Sequence, residues 1–253
     1  NNELITNRLK GDVVSIGGKY KKEIKGFKLF AEAGVNVSGD FDGNFFTAKA
    51  SYRLNEDHFI EARINHNARA ANYNYLLYQS VYKNYNWIND FNNIETQQLD
   101  VSLKSKWLGD VSLNFTTIND YVYFQKDGVD DLVKPFQTDQ SINYLKVKWE
   151  KEFNFLRKFS LYNTVMYQNV KDDSMVLNLP ELTTRNTLYY SNHFFKRALF
   201  LQTGVTFSYF TAYNMNAYDP LMAEFYVQND QEFGGFPRFD FFVNVKVQQI
   251  RIY

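Results

Sequence analysis

The sequence reads QQLDVSLKSKWLGDVSLNFTT from residue 97 to residue 117. On both sides of a short turn at 108–110, every second residue is apolar and the residues between them are polar or charged. Successive side chains of a strand point to opposite faces, so this stretch is predicted to be a β-hairpin with one apolar and one hydrophilic face. The apolar positions are Leu99, Val101, Leu103, Val111, Leu113 and Phe115, and Trp107 lies at the end of the first row.

Composition limits the possible functions only loosely. The chain has 253 residues, with 28 Lys and Arg against 28 Asp and Glu, so no overall field attracts nucleic acid. It has no cysteine, which excludes a disulfide framework and a thiolate metal site. No composition break divides the chain, and a single β-barrel domain over residues 1–253 is expected.

The alternating pattern recurs along most of the chain. It predicts about twelve strands of roughly 10–14 residues, longer than the ~5–6 residues typical of strands in globular proteins. Residues 221–228 and 239–253 are counted among these strands, and the second is expected to stop in mid-strand. Short connections are predicted near residues 23, 56, 109, 155 and 197, the first of them in the basic run 21–25.

Three long loops complete the predicted architecture. They lie at 70–92, 125–140 and 171–184, with a helical turn near 76–85, and the second arm of the opening hairpin is predicted to continue to Phe124. The short connection at 40–44 is an exception to the alternation of short turns and long loops. Short turns at one end and long loops at the other are typical of an outer-membrane barrel.

Alternation alone does not identify the solvent at each face. In a soluble β-sandwich or jelly roll the apolar rows would be buried, whereas in a membrane barrel they face lipid. Three features favour a membrane barrel: the length of the strands, the removal of sheet edges by closure, and aromatic residues near the ends of the apolar rows. These aromatic residues are Trp107, Trp149 and Tyr209. The predicted fold is therefore all-β, an antiparallel up-and-down transmembrane β-barrel, with this chain forming part of a barrel of about 14 or more strands.

The C-terminal segment contains AYDP at 217–220, FYVQ at 225–228 and GFPRFDFFVN at 235–244, followed by Lys246 and Arg251. This region resembles the C-terminal part of the putative porins of Bacteroidota. The resemblance implies an outer-membrane location, passive diffusion of small hydrophilic solutes and no catalytic residue. It also implies that N-terminal strands and the terminal strand are missing. A fragment of a TonB-dependent receptor barrel is the nearby alternative, although no plug-like or TonB-box-like region is recognised.

Under the barrel interpretation, the charged residues of the hydrophilic rows line the lumen. Strand parity predicts as pore-lining Lys28, Glu32, Lys49, Arg53, Glu61, Arg63, Asp100, Lys104, Lys106, Lys146, Lys148, Glu150, Arg238, Asp240 and Lys246. If their hairpins adjoin, the lysines at 104, 106, 146 and 148 are expected to form a basic stripe that favours anionic solutes. The alternative is that these charges only solvate a plugged or structural barrel.

Other functional signals are weak. The histidines His58, His66 and His193 form no HExxH motif and no GxSxG motif is present, so no enzyme, metal or cofactor is predicted. Asp130-Asp131 and Asp172-Asp173 could ligate Ca²⁺ but fit solvated loop acids better. Trp87 with Tyr82 and Tyr85 fits a sugar platform or, more simply, a loop packed on itself.

Two further classes of function remain open at this stage. One is a structural or partner-binding barrel that holds a protein of a larger outer-membrane complex through its long loops. The other is a soluble carbohydrate-binding sandwich. The expected partners are outer-membrane lipid and lipopolysaccharide and, in the first class, a protein, but not nucleic acid.

Overall fold

The computed structural model describes residues 8–252. Its elements, in chain order, are β1 (Val13–Ile24), β2 (Phe27–Gly39), β3 (Gly43–Arg53), β4 (His58–Arg69), α1 (Tyr73–Leu76), β5 (Leu77–Tyr78), β6 (Trp87–Ile88), β7 (Ile94–Ser105), β8 (Gly109–Asn119), β9 (Val122–Lys126), β10 (Val133–Gln137), β11 (Ile142–Phe155), β12 (Phe159–Lys171), β13 (Leu182–Phe194), β14 (Leu199–Phe210), β15 (Ala217–Asp219), β16 (Glu224–Tyr226), β17 (Arg238–Val247) and β18 (Ile250–Ile252). In this part of the chain, no helix is long and apolar enough to cross a membrane.

One antiparallel sheet of twelve strands, in the order β1-β2-β3-β4-β7-β8-β11-β12-β13-β14-β17-β18, dominates the fold. Neighbouring strands in this order are joined as hairpins, so the topology is up-and-down, as predicted. The hairpin at 97–117 forms β7 and β8, in which Leu99 pairs with Phe115 and Val101 with Leu113. The sheet is not closed within residues 8–252, and its two outer strands are β1 and β18.

The structure corrects four local predictions. Residues 221–228 contain no strand of the large sheet, because only β16 forms there and it pairs with β15. The last predicted strand is divided by a turn at Gln248, whose φ is +53°, so β18 supplies the twelfth strand instead. The helical turn lies at Tyr73–Leu76 and not at 76–85. β8 ends at Asn119, because Asp120 has a φ of +54° and the chain then enters β9.

The connections differ strongly between the two ends of the sheet. At one end lie short turns after β1, β3, β7, β11, β13 and β17. The first of these is at Lys25–Gly26, so Lys21 and Lys22 belong to β1 and the predicted turn at 21–25 is wrong for most of its length. At the other end, the connections 70–93, 120–141, 172–181 and 211–237 are long, and only the turn at 40–42 is short.

Solvent exposure across the sheet is the reverse of that in a soluble protein. Phe115, on the apolar face, is 43% exposed, whereas the neighbouring Asn114 and Thr116 on the polar face are 6% and 8% exposed. The same inversion occurs on β12, where Ser160 and Gln168 are buried and the adjacent Phe159 and Tyr167 are exposed. In the described part of the chain, no second large sheet covers the apolar face, so the soluble sandwich does not fit this fold.

The buried apolar residues belong mainly to the four long connections, which together we call the loop cap (70–93, 120–141, 172–181 and 211–237). One cluster contains Tyr85, Trp87, Phe124, Val133 and Met222. The cluster around Ala71, Leu76 and Val122 and the cluster around Val176 and Val227 adjoin the sheet. The long connections are therefore packed against one another and are not independent loops.

Contacts within the loop cap join connections that start from distant strands of the sheet. Asn74, before β7, donates a hydrogen bond of 2.5 Å from Nδ2 to Glu224, after β14, although four strands of the sheet lie between β7 and β14. At about 4.8 Å per strand, a flat sheet would keep these connections roughly 24 Å apart. The long connections therefore extend toward one another across the intervening strands.

The loop cap lies on the polar side of the sheet. Ile118, Ile142 and Val170 occupy polar-face positions at the long-loop ends of β8, β11 and β12, and they pack with Val176 and Val227 of the loop cap. Ile142 is fully buried by this contact. The loop cap thus covers the polar face, which we call the concave face by its place in a barrel wall, and we call the apolar face the convex face.

Candidate functional site

The register of the sheet joins the polar rows of successive strands into one surface. Arg63 of β4 pairs with Asp100 of β7, Asp100 pairs with Asn114 of β8, and Asn114 pairs with Lys146 of β11. Directly paired residues share a face, so these residues all point to the concave side. By the register of the sheet, the residues that strand parity predicted to line the pore all lie on this polar face, except Lys106.

Lys106 lies outside the polar face, because β7 ends at Ser105. Its Nζ is 2.5 Å from Oδ1 of Asp57, in the adjacent turn after β3. This contact with Lys106 lowers the pKa of Asp57 below its ordinary value. The assignment of Lys106 to the lumen is therefore corrected to the rim at the short-turn end.

Several charged residues of the polar face were not among the pore-lining residues predicted from strand parity. They are Lys19, Lys21, Glu23, Arg69, Asp110, Glu152, Arg185 and Arg251. Those on β1 were assigned in part to a turn, and the basic run concealed their alternation. Basic residues still outnumber acidic ones on the completed surface.

Asp100 is the centre of a hydrogen-bonded network on this face. Its Oδ2 accepts from Nε of Arg63 at 2.9 Å and forms an ion pair of 2.8 Å with Nη2. Its Oδ1 accepts from Nδ2 of Asn114 at 2.6 Å and from Nε2 of Gln98 at 3.2 Å. A carboxylate with donors on both oxygens, one of them a guanidinium, is held in a fixed position.

Much of the remaining charge is neutralised by short ion pairs. Lys49 and Glu61 approach to 2.8 Å, Lys148 and Glu150 to 2.9 Å, and Arg238 and Asp240 to 3.2 Å. These pairs are all partly exposed, so each contributes little to stability. Their main effect is to leave a hydrophilic wall that carries many charges and only a small excess of one sign.

The expected basic stripe is not continuous. Lys104 pairs in register with Asp110, and Asp110 pairs with Glu150 of β11. Two carboxylates therefore stand beside Lys104 along this row, and Glu150 also forms the ion pair with Lys148. The prediction of a basic stripe was wrong because the residues beside Lys104 are set by the register between strands. The parity of a single strand does not give that register.

Aromatic side chains gather on the apolar face near the short turns. The rings of Phe155 and Phe159 are 6.0 Å apart, and Tyr190 lies 5.1 Å from Phe159. Nearby, Nε1 of Trp149 donates to the carbonyl of Leu108 at 2.9 Å, and Trp107 in the same turn is exposed. A ring of amphipathic aromatics at one level of an apolar face is typical of a membrane interface.

The loop cap spans the long-loop end of the polar face. The rings of Tyr75 and Phe124 stack with centroids 4.5 Å apart, and Nε1 of Trp87 donates to the carbonyl of Asn74 at 3.1 Å. The hydroxyl of Tyr85 donates to Asp219 of the last long connection at 3.4 Å. Partial burial in the cap raises the pKa of Tyr75 to about 12.

The secondary candidates have structural roles. Trp87 is buried in the loop cap, so it offers no open platform for a sugar. Asp130 is bound to Lys134 at 2.7 Å, and Asp172 accepts hydrogen bonds from the backbone amides of Ser174, Val176 and Leu177. Within residues 8–252, no group of three or more His, Cys, Asp or Glu side chains is arranged to hold a metal ion.

Comparison with known proteins adds two findings. A sequence model of the family described as putative porin matches residues 1–253. The fold is similar to that of the siderophore receptor PirA from Acinetobacter baumannii, with a TM-score of 0.61 and 8% sequence identity. That match covers 95% of this chain but only 40% of the receptor chain, and at this identity it shows the fold alone. No curated relative matches the sequence.

Proposed function

This chain belongs to the family described as putative porin, and from that premise we propose that its polar face lines a water-filled path for passive diffusion of small hydrophilic solutes. The chain is an outer-membrane β-barrel protein. The passage of solutes, the solute class and the pore-lining role of the charged residues are the proposed part. Because the chain spans 40% of the structure it resembles, the path is completed by further strands in this proposal.

The observation that carries the proposal is the inverted exposure of the sheet. Phe115 is 43% exposed on the convex face while Asn114 and Thr116 are 6% and 8% exposed on the concave face. An exposed apolar row on the convex face and a polar row on the concave face are typical of a barrel wall with lipid outside and a polar interior. By the usual orientation of such barrels, the short turns lie in the periplasm and the loop cap lies at the cell exterior.

The charge pattern of the wall supports a weakly selective path. Ion pairs such as Arg63–Asp100 and Lys49–Glu61 keep the surface hydrophilic without a strong field of one sign. The small excess of basic residues predicts a mild preference for anions. The loop cap narrows the outer opening, which predicts a size limit for solutes.

Planar bilayers test this proposal with the full-length protein. We expect stepwise current increments whose size rises in proportion to KCl concentration, and a reversal potential in a KCl gradient that departs only slightly from zero toward chloride. Correct insertion is established separately by the shift in gel mobility on heating. Inserted protein that gives no increments would exclude the diffusion path.

A second candidate function follows from the loop cap. Three of the four connections share one buried core, and the fourth joins them where Val176 packs with Val227. Such a packed surface suits a barrel that binds a protein partner at the cell surface. In that case the inserted protein would be silent in bilayers and would co-purify with one partner in fixed stoichiometry. Co-purification together with conductance would favour a channel that also serves as an anchor.

A further inference from the structure

A cavity of about 700 Å³ lies on the polar face near the short turns of β1 to β4. Its lining includes Lys21, Phe30, Arg53, Phe59 and two ion-paired lysines. The volume falls within the range of small-molecule sites, roughly 300–1,000 Å³. It is distinct from the loop cap, which lies at the opposite end of the strands.

The charge of this cavity is positive after pairing. Its lysines at 28 and 49 are bound to Glu23 at 3.0 Å and to Glu61 at 2.8 Å, respectively. Lys21 and Arg53 also line it, and within residues 8–252 neither has an ion pair. Two cations are therefore available to an incoming anion.

The cavity also presents apolar surface. Phe30 lies in register between Lys21 of β1 and Lys49 of β3. Phe59 pairs in register with Arg53, whose guanidinium carbon is 6.0 Å from the ring centroid. A guanidinium placed over an aromatic face keeps its N–H edge free to form two parallel hydrogen bonds to a carboxylate or phosphate.

We propose that this cavity binds small organic anions with an aromatic or apolar body. Arg53 holds the carboxylate or phosphate, Phe30 and Phe59 contact the body, and Lys21 attracts the anion to the cavity. The proposal rests on the proposed function to the extent that the polar face must be open to water. It deepens that function by placing a weak anion-binding step at the periplasmic end of the path.

Fluorine NMR of the detergent-purified full-length protein measures this binding without requiring conductance. The probe is 4-fluorobenzoate, with neutral 4-fluorobenzyl alcohol as its isostere. We expect line broadening of the benzoate, weaker broadening of the alcohol, and at least a tenfold loss of benzoate affinity in Arg53→Gln. Arg53→Lys is expected to lose less, because it keeps the charge but not the planar fork.

Arg157→Gln is the matched control, because Arg157 is exposed in the turn after β11 and does not line the cavity. It removes the same charge at the same end of the sheet. We expect its benzoate affinity to stay within twofold of the natural protein, and heat-dependent gel mobility shows that each variant is folded.

Three results would overturn the proposal: no benzoate binding by the natural protein, equal binding of the alcohol, or an equal loss in Arg157→Gln. Inorganic phosphate should displace the benzoate less effectively than unlabelled benzoate does. Equal displacement would refute the role of the apolar body. Benzoate binding by a protein that is silent in bilayers would support the cavity and refute the diffusion path, so the two proposals fail separately.

Discussion

Val101→Arg is expected to prevent most of the protein from reaching its folded, heat-modifiable form in the outer membrane. Val101 is on the convex face of β7, between Ala62 of β4 and Leu113 of β8. An arginine at this position would have to enter the hydrocarbon layer. Lipid-facing arginines near the bilayer midplane destabilise barrels by about 2–4 kcal/mol.

Ser102→Arg is the control, because it introduces the same residue, arginine, at the adjacent position, whose side chain lies on the opposite face. Ser102 pairs with Glu61 and Ser112 on the polar face, so a new arginine there meets water and a carboxylate. We expect its folded fraction and its urea midpoint in lipid vesicles to stay near those of the natural protein. Equal tolerance of both arginines would contradict the assignment of the faces.

Phe124→Ala is expected to loosen the loop cap while leaving the large sheet intact. Phe124 is 2% exposed and contacts Tyr75 and Trp87, with ring centroids at 4.5 Å and 6.3 Å. Truncating a buried phenylalanine costs about 3–5 kcal/mol. At about 1.4 kcal/mol for each factor of ten, that loss should raise the population of locally opened cap by roughly a hundred- to several-thousandfold. The measurements are tryptic cleavage within 120–141 and single-channel conductance, both of which should increase.

Phe225→Ala serves as the matched control for the loop cap. Phe225 lies in β16, also within the cap, but its side chain is 63% exposed. We expect cleavage and conductance of this variant to be unchanged. If Phe124→Ala also leaves both quantities unchanged, the packing of the cap does not control the outer opening.

The large sheet could be predicted from sequence because its signal is local. Alternation between 97 and 117 correctly separated Leu99 and Val101 from Asp100 and Ser102. The same reasoning applied to the other long strands, since a period of two is repeated over ten or more residues in each. The resemblance at 207–253 then indicated the family to which the whole chain belongs.

Short alternating segments do not reliably predict strands of the large sheet. Residues 221–227 alternate like a strand, yet Val227 donates its backbone N–H to the carbonyl of Phe124 at 2.7 Å inside the loop cap. Which partner a short segment pairs with is decided by contacts between distant parts of the chain. The turn predicted near residue 155 lies at 156–158, where Leu156 and Arg157 adopt positive φ angles without a glycine to signal them in the sequence.

The cavity and the loop cap could not be predicted from the sequence either. Asn74 and Glu224 lie 150 positions apart in the chain, and they meet only through the packing of the long connections in three dimensions. Arg53 was placed on the polar face by parity, but its juxtaposition with Phe59 and the cavity beside Lys21 depend on register between strands.

Site-specific cysteine labelling tests the central claim, that the polar face meets water and the apolar face meets lipid. This chain contains no cysteine, so within residues 1–253 each introduced thiol reports alone. Cysteine at 102 or 112 should react with a membrane-impermeant maleimide in the folded, membrane-inserted protein. Cysteine at 101 or 113 should resist it and react with a lipid-soluble maleimide instead. Reaction of 101 and 113, but not 102 and 112, with the impermeant maleimide would contradict this assignment of the two faces. Equal reaction at all four positions would contradict it as well.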